Sequence, residues 1–197
     1  MARRILVGLL ALAGCTGVHA QDPTAKQPKR WGGALQIDLS SGGDNLQDDL
    51  DVDSDITLGQ GLTLSGGVYF RPVEHSNFEM QVLAGFKGAA PVPIVAGPYT
   101  DVTRWVFQVL ADYRSSDKWF LGGGLVLHGN PKVLNGMQYG SDIHFDDAAG
   151  AVIEGGWNWV ALQCTYIEYH NGAFGTFDAS NCGVRFTFHF RKWHAAN

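Results

Sequence analysis

Asn181-Cys182-Gly183-Val184-Arg185-Phe186-Thr187-Phe188-His189-Phe190 is the stretch on which the fold turns. Val184, Phe186, Phe188 and Phe190 fall on one face of a strand, and Arg185, Thr187 and His189 on the other. Side chains of a strand alternate with period two, so this segment is greasy on one side and charged or hydrogen-bonding on the other. A soluble sandwich would bury the phenylalanines and leave the polar face wet. A transmembrane barrel turns them toward lipid and encloses the polar face.

Working back from that strand, the chain reads as eight strands with alternating loop lengths. The first, 31–40, turns Trp31, Leu35, Ile37 and Leu39 outward and Gln36, Asp38 and Ser40 inward. Strands follow at 61–71, 77–87, 102–113, 118–128, 145–157 and 160–170, each with the same alternation. Arg71, Glu79, Lys87, Arg104, Asp112 and Glu154 fall in the inward set. The connections run long, short, long, short, long, short, long, as in an even-stranded outer-membrane barrel with both termini on one side. Strands of about ten residues match a tilted membrane span. Trp31, Trp105, Trp119, Trp157, Trp159 and Trp193 fall near expected strand ends, which suits an aromatic girdle at lipid headgroups. The fold class is therefore all-β, an eight-stranded antiparallel up-and-down transmembrane barrel over 31–190. A soluble sandwich accounts neither for the loop alternation nor for charge in the inward set of nearly every strand.

Composition agrees. Only 17% of residues are charged, below the quarter usual for a soluble domain, and mean hydropathy is −0.05, as expected where apolar and polar residues alternate. A net charge of −5 argues against a nucleic-acid partner, since phosphate contacts need a basic face.

Met1-Ala2-Arg3-Arg4 followed by an apolar stretch to Ala13 reads as a secretory signal over 1–20, with small residues placed for cleavage after Ala20. The competing reading takes Leu12-Ala13-Gly14-Cys15 as a lipoprotein box, with lipid on Cys15. Residues 21–30 read as a polar leader and 191–197 as a tail. Cys164 and Cys182 lie on the last two expected strands, where a disulfide is conceivable and two unpaired small hydrophobes are an equal alternative.

The segment 181–188 resembles the C-terminal signal read by the barrel assembly machinery, with Gly183 and the aromatic series Phe186, Phe188 and Phe190 in the matching positions. The mature chain as a whole resembles the small eight-stranded bacterial outer-membrane barrels, the broad OmpA, OmpX and OmpW class. The resemblance implies location in the outer membrane, contact with its lipid and lipopolysaccharide, delivery by the assembly machinery, and variable loops that can meet an extracellular partner. It implies no cofactor and no particular activity.

The inward charges carry the most chemistry. Arg71, Lys87, Arg104 and Arg185 can meet Asp38, Glu79, Asp112 and Glu154 in a lumen narrow enough for side chains to fill. Buried ions must pair, so the expectation is a polar plug that rigidifies the barrel rather than a conducting pore. Gly122 and Gly124, also inward, make room for long neighbours.

Three further sites were weighed. Glu168 and His170 share the outward face near the outer rim, and lipid A deacylase barrels place a His and a Ser two apart on such a rim. The serine and its base are not reproduced here, so a rim pair touching headgroups is the plainer reading. Asp51-Val52-Asp53-Ser54-Asp55 begins like a calcium loop, but Ile56 stands for the required glycine and Leu62 for the closing glutamate. His128, His144 and His170 lack metal-ligand spacing. The resulting functional expectation is a non-enzymatic barrel with a structural or surface-recognition role. A lipid A-modifying enzyme and a narrow channel for small apolar solutes are the alternatives.

Overall fold

Alternation along each strand is converted into a closed tube by hydrogen bonding all the way round. The computed structural model describes residues 31–45, 57–72, 77–88, 100–115, 118–135 and 142–190. The signal, the leader, the tail, the aspartates 48–55 and the proline-rich segment 89–99 lie outside the described residues. The strands are β1 (Trp31–Ser41), β2 (Gly61–Phe70), β3 (Phe78–Gly88), β4 (Thr100–Arg114), β5 (Trp119–Asn135), β6 (Ile143–His144), β7 (Ala148–Trp157), β8 (Val160–Tyr166), β9 (Glu168–Asn171), β10 (Gly175–Asp178) and β11 (Asn181–Phe190). β1–β5, β7, β8 and β11 pair in an antiparallel circle, with β11 returning to β1, and form a closed eight-stranded barrel.

Four of the expected strands depart from their boundaries by more than one residue. β4 and β5 are 15 and 17 residues long, and their pairing continues past a bulge between Thr103 and Trp105 to Thr100 and Asn135. Their short connection is at the other end, so the extra length of both strands lies at the long-loop end. The segment expected as a strand from 145 starts pairing in the barrel only at Ala148, while Ile143 and His144 pair with Val133 and Lys132 on the extended part of β5. The expected strand 160–170 is broken at Ile167. Beyond it, β9 pairs with β10 in a separate two-stranded sheet, with β10 inside what the sequence reads as loop.

The outward face is apolar over the whole circumference. Leu121, Leu125 and Leu162 are 72%, 70% and 68% exposed, and Val68, Val82, Phe107, Val109 and Ile153 are about half exposed on the same surface. Soluble monomers rarely expose contiguous apolar patches beyond a few hundred Å², so this surface needs a cover. Aromatic side chains edge it. Trp31, Phe78, Tyr113, Trp119, Trp157 and Trp159 lie toward the short-turn end, and Phe86, Trp105 and Tyr166 toward the other.

Two short turns rest on left-handed backbone, at Lys118 (φ 71°) and Asn158 (φ 59°), and the Asn158 amide donates to the Lys118 carbonyl at 2.9 Å. At the long-loop end β1 leaves through Gly42 (φ 136°) and Gly43 (φ 82°), a path that favours glycine.

Gly183 answers a different demand. A Cβ there would strike the Leu39 carbonyl oxygen and sit 2.6 Å from the Ser40 Cα, on the strand that β11 must meet. Overpacking of this kind costs about 1–3 kcal/mol. Gly183→Ala is expected to lower the folded, heat-shifted fraction on electrophoresis after refolding. Gly172→Ala, where nothing lies within 4 Å of the added methyl, is expected to leave it unchanged.

Candidate functional site

The inward side chains build three polar tiers and a cap. At the short-turn end Glu79, fully buried, is the hub. Arg71 donates to its Oε2 from Nε and Nη2 at 3.0 and 2.9 Å, Arg114 donates to Oε1 from Nε at 3.1 Å, and His189 Nε2 lies 3.0 Å from Oε1. Arg71 sits at the mouth with its side chain half exposed, over the Tyr69 ring, whereas the Arg114 guanidinium lies 4.6 Å from the centre of the Phe120 ring. Gln81 Nε2 also donates to Oε1 at 3.3 Å, and the three donors Arg71, Arg114 and Gln81 offset the desolvation of this buried carboxylate, which for an unpaired ion would be several kcal/mol. Asp112, also fully buried, accepts from Gln81 Nε2 at 2.7 Å, and Gln36 donates to Gln81 Oε1 at 3.1 Å. Gly122 gives the Asp112 carboxylate its space, since a Cβ on Gly122 would occupy the position of Oδ1.

The middle tier is an ion pair between Arg185 and Glu154, both side chains fully enclosed, in which Arg185 Nη2 donates to Glu154 Oε1 and Gln163 adds a bond to Oε2 at 3.1 Å.

Nearer the long-loop end Lys87 donates to the Ser40 hydroxyl at 2.5 Å and to Asn181 Oδ1 at 3.2 Å. Asp38 is buried alongside. Between this tier and the one below lies a cavity of about 10 Å³ lined by Gln36, Asp38, Thr63, Lys87, Gln108 and His128. That is about the space of a single water.

Over these tiers the chain closes the mouth with its own backbone. Arg104 donates from Nη1 to the Leu58 carbonyl at 2.7 Å and from Nη2 to the Gly59 carbonyl at 3.4 Å, so the end of the first long loop is latched inside the rim. The same loop bonds sideways to β10: Asp44 N donates to the Asp178 carbonyl and Asp178 N to the Asp44 carboxylate, both at 2.7 Å. Tyr169 closes the remaining gap. Its hydroxyl lies 2.6 Å from His128 Nδ1, its ring packs on Phe145, and Phe145 packs in turn on Phe177. Leu58, Val102, Val133 and Ala179 are fully buried in this cap.

The rim pair lies elsewhere. Glu168 and His170 are exposed on β9, opposite Asp178 and Thr176 of β10, and His170 Nδ1 lies 3.2 Å from the Thr176 hydroxyl. The three histidines weighed in the sequence have separate partners: Tyr169 for His128, Thr176 for His170, and Asn171, whose side chain donates to the backbone carbonyl of His144. On β11, Gly183 faces the crowded seam with β1, Phe186 and Phe188 pack beside Trp159, and Phe190 is exposed.

Arg114 and the cap residues Leu58, Gly59 and Tyr169 are the participants that sequence reasoning misses. Arg114 was legible, since it continues the inward parity of Asp112. The cap was not, because it depends on contacts between loops distant in sequence.

No protein-family profile matches this chain, and no curated protein matches it. Among solved structures the chain is similar to the N-terminal β-barrel domain of Pseudomonas aeruginosa OprF, at 12% identity and a TM-score of 0.33, over 79% of this chain and 97% of that one.

The middle tier makes a measurable prediction. Removing one member of a buried pair costs about 3–5 kcal/mol, whereas replacing both by apolar residues is close to neutral. Arg185→Leu should therefore lower the urea midpoint of the folded band sharply. Arg185→Leu combined with Glu154→Leu should recover most of that loss.

Proposed function

We propose that this chain is a non-enzymatic barrel of the bacterial outer membrane, structural or recognitional in role, with its polar lumen serving as a plug. The observation that carries the reading is the pairing of an outward apolar belt, edged by aromatics, with an interior lined by charged and hydrogen-bonding side chains. Lipid is the cover that such a belt requires, and the lipopolysaccharide leaflet is the surface its long-loop rim would meet. An eight-stranded barrel is just wide enough for side chains to fill. A lumen filled by Asp38, Arg71, Glu79, Lys87, Arg104, Asp112, Glu154 and Arg185 stiffens the wall instead of passing solute. β11 supplies the sequence that the assembly machinery would read. The capped face built from the first long loop, the extended ends of β4 and β5 and the β9–β10 hairpin is the surface offered to an extracellular partner, since loops on a rigid scaffold are where recognition concentrates.

A second reading, hydrolysis of a lipid acyl ester, draws on one observation, the Thr176 hydroxyl within reach of the His170 imidazole. Such a site needs an acid that orients the imidazole, yet Glu168 is registered against Asp178, two pairs along. The narrow-channel reading requires a continuous path, and the cap and the three tiers argue against it.

One experiment separates the three. The protein is extracted from outer membranes, run with and without boiling, reconstituted into planar bilayers, and the lipid A of expressing cells is weighed. The proposal expects a heat-shifted band, no conductance steps and unaltered lipid A. Discrete conductance steps would contradict the plug. Loss of an acyl chain that disappears with His170→Ala would replace it with the enzyme.

A further inference from the structure

Cys164 on β8 and Cys182 on β11 stand directly opposite in register and are joined by a disulfide. Strand parity puts both on the outward face. Cys182 shares that face with Val184 and Phe188, and Cys164 shares it with Leu162 and Tyr166, which are exposed on the apolar belt. Across the neighbouring strands Cys164 faces Ile153 of β7, and Cys182 faces Ser41 of β1. The bond therefore lies on the belt's surface, one strand away from the β1–β11 seam at which the two ends of the barrel meet.

Two features make that position informative. The first is chemical. Thiol–disulfide exchange requires a thiolate and an accessible partner disulfide. A thiol facing hydrocarbon does not ionise readily, because burying the charge is costly, and a polar oxidant does not reach it. The second is topological. The cysteines are 18 residues apart and enclose β9 and β10, so the loop can close within one stretch of chain, without the rest of the barrel. β11, by contrast, must find β1 across nearly the whole sequence, and a slip of one residue there would turn Phe186 and Phe188 into the lumen and Arg185 toward lipid.

We propose that the Cys164–Cys182 bond is made in water before the barrel enters the membrane, by a thiol–disulfide oxidant of the compartment the chain crosses. Once made, it clamps the register of the closing strand. The inference rests on the membrane reading above. In the reaction one cysteine thiolate attacks the oxidant's disulfide to give a mixed disulfide. The second thiolate then displaces the oxidant, whose two sulfurs leave as thiols. Two electrons and two protons pass from the protein's thiols to the oxidant. The role left to the bond afterwards is conformational: β11 reaches β1 already paired to β8, with its aromatic face set outward.

The test uses the mature chain, oxidised or reduced in urea and diluted into dilauroylphosphatidylcholine vesicles, with folding followed by the heat-shifted band. The oxidised chain is expected to fold several-fold faster than the reduced chain. The variant carrying both Cys164→Ser and Cys182→Ser is expected to reach the same folded band at the reduced chain's rate. Oxidised glutathione added to the reduced chain in urea should form the bond, and added to the reduced chain after folding should leave both thiols free, as read by maleimide labelling after denaturation. Equal folding rates for the oxidised chain and the double serine variant would overturn the clamp. Oxidation of the folded barrel as fast as the unfolded chain, or free thiols in protein isolated from cells, would overturn the order of events. A chain that folds in buffer with no vesicles present would instead defeat the membrane reading on which the inference rests.

Discussion

The pairing of β11 with β1 is the constraint on which everything else depends. It joins the two ends of the sheet, with Asp38 opposite Arg185, Ile37 opposite Phe186 and Leu35 opposite Phe188. Each pair puts like beside like, polar on the inner face and apolar on the outer. The alternation has period two, so the only neighbouring registers exchange the faces completely. One shift would place guanidinium on the apolar outer face and phenyl rings among buried carboxylates. Closure also removes the free edges that an open sheet would present. Gly183 lets the two strands approach at the point where a methyl would collide with Leu39 and Ser40.

The interior follows from closure. A tube of eight strands has no room for bulk water at its centre, so the ionised groups that alternation sends inward must find partners there. They do so in tiers. Glu79 gathers Arg71, Arg114 and His189, Arg185 grips Glu154, and Lys87 reaches Ser40 and Asn181. Glutamines link groups within the short-turn tier, since an amide both donates and accepts: Gln36 bonds to Gln81, and Gln81 bonds on to Asp112. Arg104 is put to a different use, holding backbone carbonyls of the first long loop in the mouth of the tube. These contacts line the inner face of the tube and tie its strands to one another.

The barrel was legible because its information is local and repeated. Every strand states its own alternation, and β11 states it most plainly. The side of the wall on which Asp38, Glu79 or Arg185 stands follows from parity alone. What parity does not contain is height and reach. That Glu79 would collect three donors, or that Asp112 and Gln81 would meet across 31 residues, depends on the stagger of neighbouring strands. The cap was the least legible part, and for the same reason. β9 and β10 follow a break at Ile167 that the apolar–polar pattern does not mark, and the residues that seal the mouth, Leu58, Tyr169 and Phe177, lie in segments whose partners belong to other loops. The disulfide stood between these cases. Opposed strands could be expected for Cys164 and Cys182, but the matching register that lets them bond is set by the β8–β11 pairing itself.

The central claim, a lipid-facing belt around a sealed lumen, is tested most directly by a nitroxide scan of β4 in lipid vesicles, one label at a time from 105 to 113. Collision rates would be measured with oxygen, which concentrates in the bilayer, and with a water-soluble nickel chelate. The account predicts oxygen accessibility that peaks at 105, 107, 109, 111 and 113, and low accessibility to both reagents at 106, 108, 110 and 112. Strong collision with the nickel chelate at 106 and 108 would mean a water-filled lumen. The same result at 107 and 109 would mean that the apolar face is not in the membrane.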